Sequence, residues 1–153
     1  MCKVAICIPS YKNIEALKRL LDSVFMQTFQ DYVVVVTDDS GTDEVRNFIE
    51  TNYKRKTFYK KNTCRLGATE NCNEAMRCAD QFKPEYIKVM HHDDFFTYAD
   101  SLEKFVQLFE QNKDAKIVFS GTCQVSGNGS YTRYTTEEQA IALKKDSFCL
   151  FTG

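Results

Sequence analysis

Several patterns that mark common protein classes are missing from this 153-residue sequence. No Gly-x-Gly-x-x-Gly fingerprint occurs, which argues against a dinucleotide oxidoreductase, and no Cys-x-x-Cys pair has the spacing of a zinc site. No stretch of about 18 apolar residues is present, so the sequence predicts no transmembrane helix. The apolar run at the N-terminus stops at Pro9, which makes it too short for a signal peptide.

An excess of basic charge is also missing. The sequence has 20 Lys and Arg against 21 Asp and Glu, a formal net charge of -1. Proteins that bind nucleic acid more often carry a basic excess, so no nucleic-acid partner is expected. The seven scattered cysteines are odd in number, and several stand at apolar positions, where a free thiol behaves as a small hydrophobe. This usage favours a reducing, cytoplasmic location.

What the sequence does contain is a regular alternation of apolar segments of strand and helix length. Hydrophobic residues make up 43% of the chain, which is ordinary for a globular protein, and one domain over residues 1–153 is predicted. Strands that alternate with helices imply βαβ units. We therefore predict an α/β fold with a mainly parallel sheet flanked by helices.

The predicted elements follow from hydrophobic periodicity and turn residues. Strands are predicted at residues 3–8, 32–36, 57–59, 86–90 and 116–120. Four helices are predicted. The first spans 13–27, and the second starts from a cap at Thr42 or Asp43. The third ends at about Phe82, and the fourth starts from a cap at Asp100 or Ser101. A polar hairpin over 122–134 and a weaker helix over 137–144 complete the pattern.

Acidic residues stand where two of these strands end. Thr37-Asp38-Asp39-Ser40 follows one strand, and His91-His92-Asp93-Asp94 follows another. In open α/β sheets, ligands bind outside the carboxyl ends of the strands. Carboxylates at such a place can accept hydrogen bonds from ribose hydroxyls or a base N–H. A polar turn with a helix cap is the alternative, and it is favoured when the first acid pair is taken alone.

The second acid pair, Asp93 and Asp94, suits a hard divalent cation. Magnesium or manganese held by one or two carboxylates neutralises the charge of a diphosphate leaving group. A loop in which the pair caps a turn is the alternative. The roles of His91 and His92 stay open, with packing or hydrogen bonding favoured, because zinc would need further imidazole or thiolate ligands that the chain does not offer.

Two further polar segments follow strands. In the first, Arg65 and Gly67 lead into a helix whose first turns carry Asn71, and helix N-termini with a nearby Arg attract phosphate. An ordinary loop with a polar first helical turn is the alternative. In the second, Pro9 and Tyr11 follow the first strand, where the Tyr11 ring could hold a nucleobase or belong to an ordinary βα loop.

Taken in order, these segments resemble the family 2 glycosyltransferases of the GT-A fold. The resemblance rests on Val4-Ala5-Ile6-Cys7-Ile8-Pro9-Ser10-Tyr11, Leu20-Leu21-Asp22-Ser23-Val24, Gln27-Thr28-Phe29, Val36-Thr37-Asp38-Asp39-Ser40-Gly41-Thr42-Asp43, Asn62, Gly67, Asn71 and His92-Asp93-Asp94. It implies a Rossmann-like nucleotide-binding domain. It also implies transfer of a sugar from a nucleotide-diphosphate sugar to an acceptor hydroxyl, usually with inversion, in polysaccharide or glycoconjugate synthesis.

The resemblance also implies roles for individual residues. The donor-binding set that it implies is Pro9, Tyr11, Asp38, Asp39, Gly67, Asn71 and Asp93, and the implied metal ligands for manganese or magnesium are Asp93 and Asp94. Pro9 and Tyr11 would line the base pocket, and Asp39 would contact the base and ribose. Two positions depart from the family pattern, because His91 stands where many members have an acid and Glu70 where many have Arg.

The partners implied by the resemblance are a nucleotide-diphosphate sugar, with UDP weakly favoured, and a glycan or lipid-linked acceptor. A full-length protein would be cytoplasmic, with peripheral association at the inner face of the membrane. Members continue well past this length, so we expect the donor-binding half of a larger enzyme, with the catalytic base beyond Gly153.

Three alternatives remain beside the transferase interpretation. The chain could be a donor-binding fragment without independent turnover. A sugar nucleotidyltransferase is disfavoured because no Gly-rich, Arg-bearing phosphate loop follows the first strand. A phospho-acceptor receiver domain is disfavoured because that strand ends in Pro9-Ser10 rather than in an acid pair.

Overall fold

A computed structural model of the chain describes residues 1–126 and 129–133. The chain divides into two compact units, Met1–Val106 and Gln107–Gly153. The assignment of residues 1–153 to a single domain stays a prediction.

The first unit is built around a four-stranded sheet in the order β3–β2–β1–β4. The strands are β1 Val4–Ser10, β2 Tyr32–Asp38, β3 Thr57–Lys61 and β4 Tyr86–Val89, and all three pairings are parallel. This confirms the predicted α/β class. The first three strands each extend two residues beyond their predicted ends, because Ser10, Asp38 and Lys61 continue the ladder despite their polar side chains.

Helices α1 Ile14–Phe25, α2 Glu44–Asn52, α3 Ala68–Ala79 and α4 Ser101–Gln111 alternate with the strands, and a 3₁₀ turn, Asp80–Phe82, follows α3. Asn13 caps α1, since its Oδ1 accepts the Ala16 N–H at 3.2 Å. In α1 the fully buried residues are Leu17, Leu20, Leu21 and Val24. Their i, i+3, i+4, i+7 spacing forms the apolar stripe that faces the sheet.

The two faces of the sheet pack against side chains of different size. On one face Ile6 and Ile8 pack with large apolar side chains such as Leu20, while on the other Cys7 packs with the small Ala75 of α3. The Cys7 thiol lies 3.6 Å from the Ala75 carbonyl, and burial raises the pKa of this thiol to about 12. Burial on both faces explains why the strands read as continuous apolar runs.

The second unit contains an antiparallel pair of strands, β5 Thr122–Ser126 and β6 Gly129–Arg133. The predicted hairpin is confirmed, with Ser126 paired to Gly129. The strand predicted at residues 116–120 is wrong, because these residues pair with no strand in the described part of the chain, and Ile117 is 60% exposed. An apolar, β-branched run forms a strand only where it fits a pleated, half-buried surface.

Two further expectations concern the remaining residues and the membrane. The helix predicted at 137–144 and the apolar run that ends at Gly153 lie outside the described residues. Across residues 1–126 and 129–133, none of the helices has the length and apolarity needed to cross a bilayer.

Gln27 is a buried amide, only 2% exposed, that joins the end of α1 to the segment before α4. Its Nε2 donates to the carbonyls of Ser23 at 3.0 Å and Tyr98 at 2.9 Å. Its Oε1 accepts the Leu102 N–H at 2.9 Å. One side chain therefore satisfies three main-chain groups at this junction.

Replacing Gln27 with Leu should lower the free energy of unfolding by about 1–3 kcal/mol, because buried main-chain groups lose their hydrogen-bond partner. Urea denaturation measures this change. The control is Met26→Ala, since Met26 is 71% exposed and its loss should change stability by less than about 0.5 kcal/mol. Equal stability of Gln27→Leu and the unmodified protein would contradict the assigned role.

Candidate functional site

A polar pocket of about 230 Å³ lies beyond the carboxyl ends of the strands. Its lining residues lie at the end of β1 or after β1, β2, β3 and β4, and they are Pro9, Tyr11, Asp39, Arg65, Gly67, Ala68, Asn71, His91, His92 and Asp93. Six of the seven predicted donor-binding residues are therefore brought together in one pocket. This is the edge of an open α/β sheet at which ligands bind.

The carboxylate of Asp39 is the most highly connected group in the pocket. One oxygen, Oδ1, accepts from the Asn62 amide at 2.6 Å. The other accepts from the main-chain N–H groups of Leu66 at 3.0 Å and Gly67 at 2.8 Å. Asp39 thus fixes the β3–α3 loop against the end of β2. A carboxylate has about four acceptor positions, so one remains for a donor from a ligand.

Gly67 has a backbone conformation that favours glycine. Its φ of 83° lies in the left-handed half of conformational space, where a side chain is disfavoured. Gly67 precedes the first residue of α3, and its N–H points to Asp39. The turn therefore supplies both the helix start and one of the hydrogen bonds to the carboxylate.

Asn62 and Asn71 extend the hydrogen bonding from Asp39 into the sheet. Besides Asp39, the Asn62 amide donates to Asn71 Oδ1 at 2.8 Å. Asn71 Nδ2 in turn donates to the Ser10 carbonyl at 3.1 Å and the Thr37 carbonyl at 3.4 Å. These contacts join α3 to the ends of β1, β2 and β3. Asn62 is a residue that the predicted site omitted, since its contact partners are distant in sequence.

Asp38, the remaining predicted donor-binding residue, does not line the pocket. It is fully buried, and its Oδ1 accepts from the main-chain N–H and hydroxyl of Ser40. Its Oδ2 accepts from the Tyr59 hydroxyl at 2.8 Å. Burial, together with this hydrogen bond, raises the pKa of Tyr59. Asp38 therefore shapes the turn after β2, and its predicted contact with a donor stays a prediction.

Tyr11 lies beside two cationic side chains. Arg65 Cζ is 4.6 Å and Lys12 Nζ is 5.1 Å from the centroid of its ring. Lys12 and Asn13 both have positive φ, 56° and 40°, and the turn is held by the Lys12 N–H on Ser40 Oγ at 2.7 Å. The two cations give this side of the pocket a positive potential that suits an anionic ligand.

Only one carboxylate of the second acid pair reaches the pocket. Asp93 lines it together with His91 and His92. Asp94 instead accepts the His91 N–H at 3.3 Å, as expected if it caps a turn. In the part of the chain that the structure describes, no group of three or more His, Cys, Asp or Glu side chains could hold a metal.

The donor set still fits a metal that binds together with a diphosphate. Magnesium is commonly held by one or two carboxylates while the substrate phosphates supply further ligands. Asp93 can be such a carboxylate. The assignment of Asp94 as a second ligand stays a prediction, because its oxygen is engaged with the main chain of its own turn.

A parallel sheet with a polar pocket beyond its carboxyl ends defines an α/β domain of the nucleotide-binding type. The family model for Glycosyl transferase family 2 matches residues 5–152. The chain therefore belongs to glycosyl transferase family 2.

Curated relatives are similar over nearly the whole chain. An uncharacterized glycosyltransferase of Haemophilus influenzae is 26% identical over 144 residues, which cover 93% of this chain and 47% of the relative. A GalNAc(5)-diNAcBac-PP-undecaprenol beta-1,3-glucosyltransferase of Campylobacter jejuni is 23% identical over 150 residues, or 96% of this chain and 45% of the relative. The chain thus spans less than half the length of these two proteins.

Solved structures confirm the GT-A fold. S. aureus TarS 1-349 in complex with UDP-GlcNAc matches 95% of this chain and 48% of its own, with a TM-score of 0.63 and 16% identity. The mannosyltransferase PcManGT from Pyrobaculum calidifontis, in complex with GDP-Man and Mn2+, matches 82% of this chain and 36% of its own. Its TM-score is 0.59 and its identity 21%.

Replacing Asn71 with Ala should lower the free energy of unfolding by about 1–3 kcal/mol, because the Ser10 carbonyl loses one of its two donors and the buried Asn62 amide loses an acceptor. The control is Asn73→Ala on the same helix, since its amide donates to the Glu70 carboxylate at 3.2 Å and the loss of this contact should change stability by less than about 0.5 kcal/mol. Thermal or urea unfolding distinguishes the two variants. Similar losses in both would contradict the tie between α3 and the sheet.

Proposed function

We propose that this chain binds a nucleotide-diphosphate sugar in the pocket and is the donor-binding part of an inverting glycosyltransferase. The enzyme would transfer the sugar to an acceptor hydroxyl. The observation that carries the proposal is the convergence of Tyr11, Asp39, Arg65 and Asp93 in one pocket. An aromatic ring, a hydrogen-bond acceptor, a cation and a carboxylate are complementary to the base, its N–H, the diphosphate and a divalent metal. Family membership supports the reaction class.

Each pocket residue is assigned to a different part of the donor. Tyr11 offers a ring to the base, and the free acceptor position of Asp39 takes a base N–H or a ribose hydroxyl. Arg65 faces the phosphates. A manganese or magnesium ion, when bound, would neutralise the leaving diphosphate, with Asp93 as its protein ligand. A manganese ion accompanies GDP-Man in the complex of PcManGT.

The identity of the base is narrowed by the chemistry of Asp39. A carboxylate only accepts hydrogen bonds, so it favours a base with a ring N–H. Uracil, thymine and guanine have one, whereas cytosine presents an unprotonated ring nitrogen and can donate only from its exocyclic amino group. The neighbours bind UDP-GlcNAc in one case and GDP-Man in the other. We weakly favour UDP.

For the whole protein, we propose a glycan or lipid-linked acceptor in polysaccharide or glycoconjugate synthesis. The name of the Campylobacter jejuni relative contains a PP-undecaprenol acceptor, which supports the lipid-linked choice. Peripheral association at the inner face of the membrane, from the cytoplasm, follows from such an acceptor. We propose that the base that activates the acceptor lies in the part of such relatives that this chain does not span, since the chain covers 47% and 45% of two of them.

Binding of UDP, GDP, CDP and dTDP, each with and without manganese, should raise the thermal unfolding midpoint to different extents. A ligand at one hundred times its Kd adds about 2.7 kcal/mol of stability. We expect the largest shift from UDP with manganese and the smallest from CDP. Differential scanning fluorimetry measures the series, and the absence of a shift with every pair of nucleotide and metal would refute the donor site.

Two substitutions separate the proposed roles of the acidic residues. Asp39→Ala should weaken UDP binding by about tenfold or more with and without manganese, because a hydrogen bond to a charged group contributes about 1.5–3 kcal/mol. Asp93→Ala should remove only the gain that manganese provides. Isothermal titration calorimetry gives both affinities.

The control for these variants is Asp43→Ala. Asp43 stands on the same turn as Asp39, but its carboxylate pairs with Lys61 at 2.9 Å and does not line the pocket. It should leave UDP affinity unchanged under both conditions. Equal, metal-independent losses in Asp39→Ala and Asp93→Ala would contradict the division of roles.

A further inference from the structure

A row of polar side chains on α1 and just beyond its end holds the segment that follows the acidic loop. Arg19 and Ser23 lie four residues apart on one face of the helix, and Gln27 follows four residues later, just after the C-cap Met26. The contacts are Arg19 Nη2 to the Asp93 carbonyl at 3.2 Å, the Phe96 N–H to Ser23 Oγ at 3.0 Å, and Gln27 Nε2 to the Tyr98 carbonyl at 2.9 Å. Three successive points of this segment, which we call the 93–98 segment, are thus attached to one helix.

Hydrogen bonds are important here because side-chain packing between the two elements is incomplete. A groove of about 690 Å³ lies between α1 and residues 95–99, and Arg19 is one of the side chains that line it. A segment beside an open groove is not fixed by close packing alone. The row therefore acts together with Phe96, which packs against the core, to set where the main chain of the 93–98 segment lies.

Arg19 differs from the other two members of the row in both exposure and reach. Ser23 is half-buried and Gln27 is buried, whereas Arg19 is exposed. Its guanidinium lies 4.8 Å from the centroid of the Phe95 ring while it donates to the Asp93 carbonyl. Arg19 therefore contacts the residues on both sides of Asp94, and one of them, Asp93, lines the pocket.

The turn that contains Asp93 is also stabilised by hydrogen bonds between its own residues. Asp94 accepts the His91 N–H at 3.3 Å, and its own N–H donates to the His91 carbonyl at 3.0 Å. The turn is thus closed on itself and attached to the rest of the molecule at Asp93 by Arg19. Rotation of the 93–94 peptide would move the Asp93 side chain, and the contact from Arg19 opposes that rotation.

We propose that Arg19 is a positioning residue for Asp93, which it holds so that the carboxylate faces the donor pocket. The inference rests on the proposed function, since it is the manganese-dependent part of nucleotide binding that Asp93 serves. Arg19 itself touches neither the donor nor the metal. Exposed contacts of this kind contribute little to global stability, so the effect on folding is small and the effect on Asp93 is local.

The test compares Arg19→Gln, Arg19→Lys, Asp93→Ala and the control Lys18→Gln in the 153-residue chain. Lys18 is the neighbouring cation on α1, and its ammonium pairs with the Asp22 carboxylate at 2.6 Å. For each protein, calorimetry gives the UDP affinity with and without manganese, and amide hydrogen exchange is followed over residues 91–96 without ligand. In Arg19→Gln, the factor by which manganese increases UDP affinity should fall about tenfold. This is the size of effect expected when a side chain that supports a metal ligand is removed.

The same variant should keep its metal-free UDP affinity and its unfolding midpoint, and its Asp94 amide should exchange faster. Arg19→Lys should recover part of the manganese gain, because an ammonium can donate to the Asp93 carbonyl but lacks the planar guanidinium that stacks on Phe95. Lys18→Gln should match the unmodified protein in every measurement.

Two results would overturn the inference in distinguishable ways. If the unmodified protein gains affinity from manganese and Asp93→Ala does not, but Arg19→Gln gains as much as the unmodified protein, the positioning role is wrong while the proposed function stands. If the unmodified protein binds none of the four diphosphates with or without manganese, the proposed function fails and the inference fails with it.

Discussion

The organisation of the pocket depends on satisfying one nearly buried carboxylate, that of Asp39, which is 7% exposed. A charged group so far from solvent is tolerated when donors surround it, and here one amide and two main-chain N–H groups do so. Those donors belong to the loop between β3 and α3. The requirement that this carboxylate be hydrogen-bonded therefore brings Arg65 and the start of α3 to the pocket.

In each of the two acid pairs, only one residue lines the pocket. Asp38 is the last residue of β2 and bonds to Ser40 and Tyr59, while Asp39 follows it and lines the pocket. Asp94 closes its own turn and Asp93 lines the pocket. At the end of β2 this difference follows from the alternation of successive side chains along a strand. In the second pair it follows from the turn that Asp94 closes with His91.

Much of the fold was predictable, because apolar runs covered on both faces are easily recognised as buried strands. Their ends were placed two residues early, since polar Ser10 and Asp38 can continue a ladder that the hydrophobic pattern does not show. The pocket was predictable because parallel strands bring their carboxyl ends to one edge. Which acid of each pair faces it was not, since this depends on partners such as Tyr59 that are distant in sequence.

The small residues between α3 and the sheet have a further consequence. Cys7 and Ala75 allow the helix to lie close to the strands, and Asn71 stands one turn earlier on the same helix. Any increase in side-chain volume at this interface would push the helix outward and carry the Asn71 amide away from Ser10. The packing of the interior and the shape of the pocket are therefore linked, so that mutations at this buried interface can change the pocket without touching its lining.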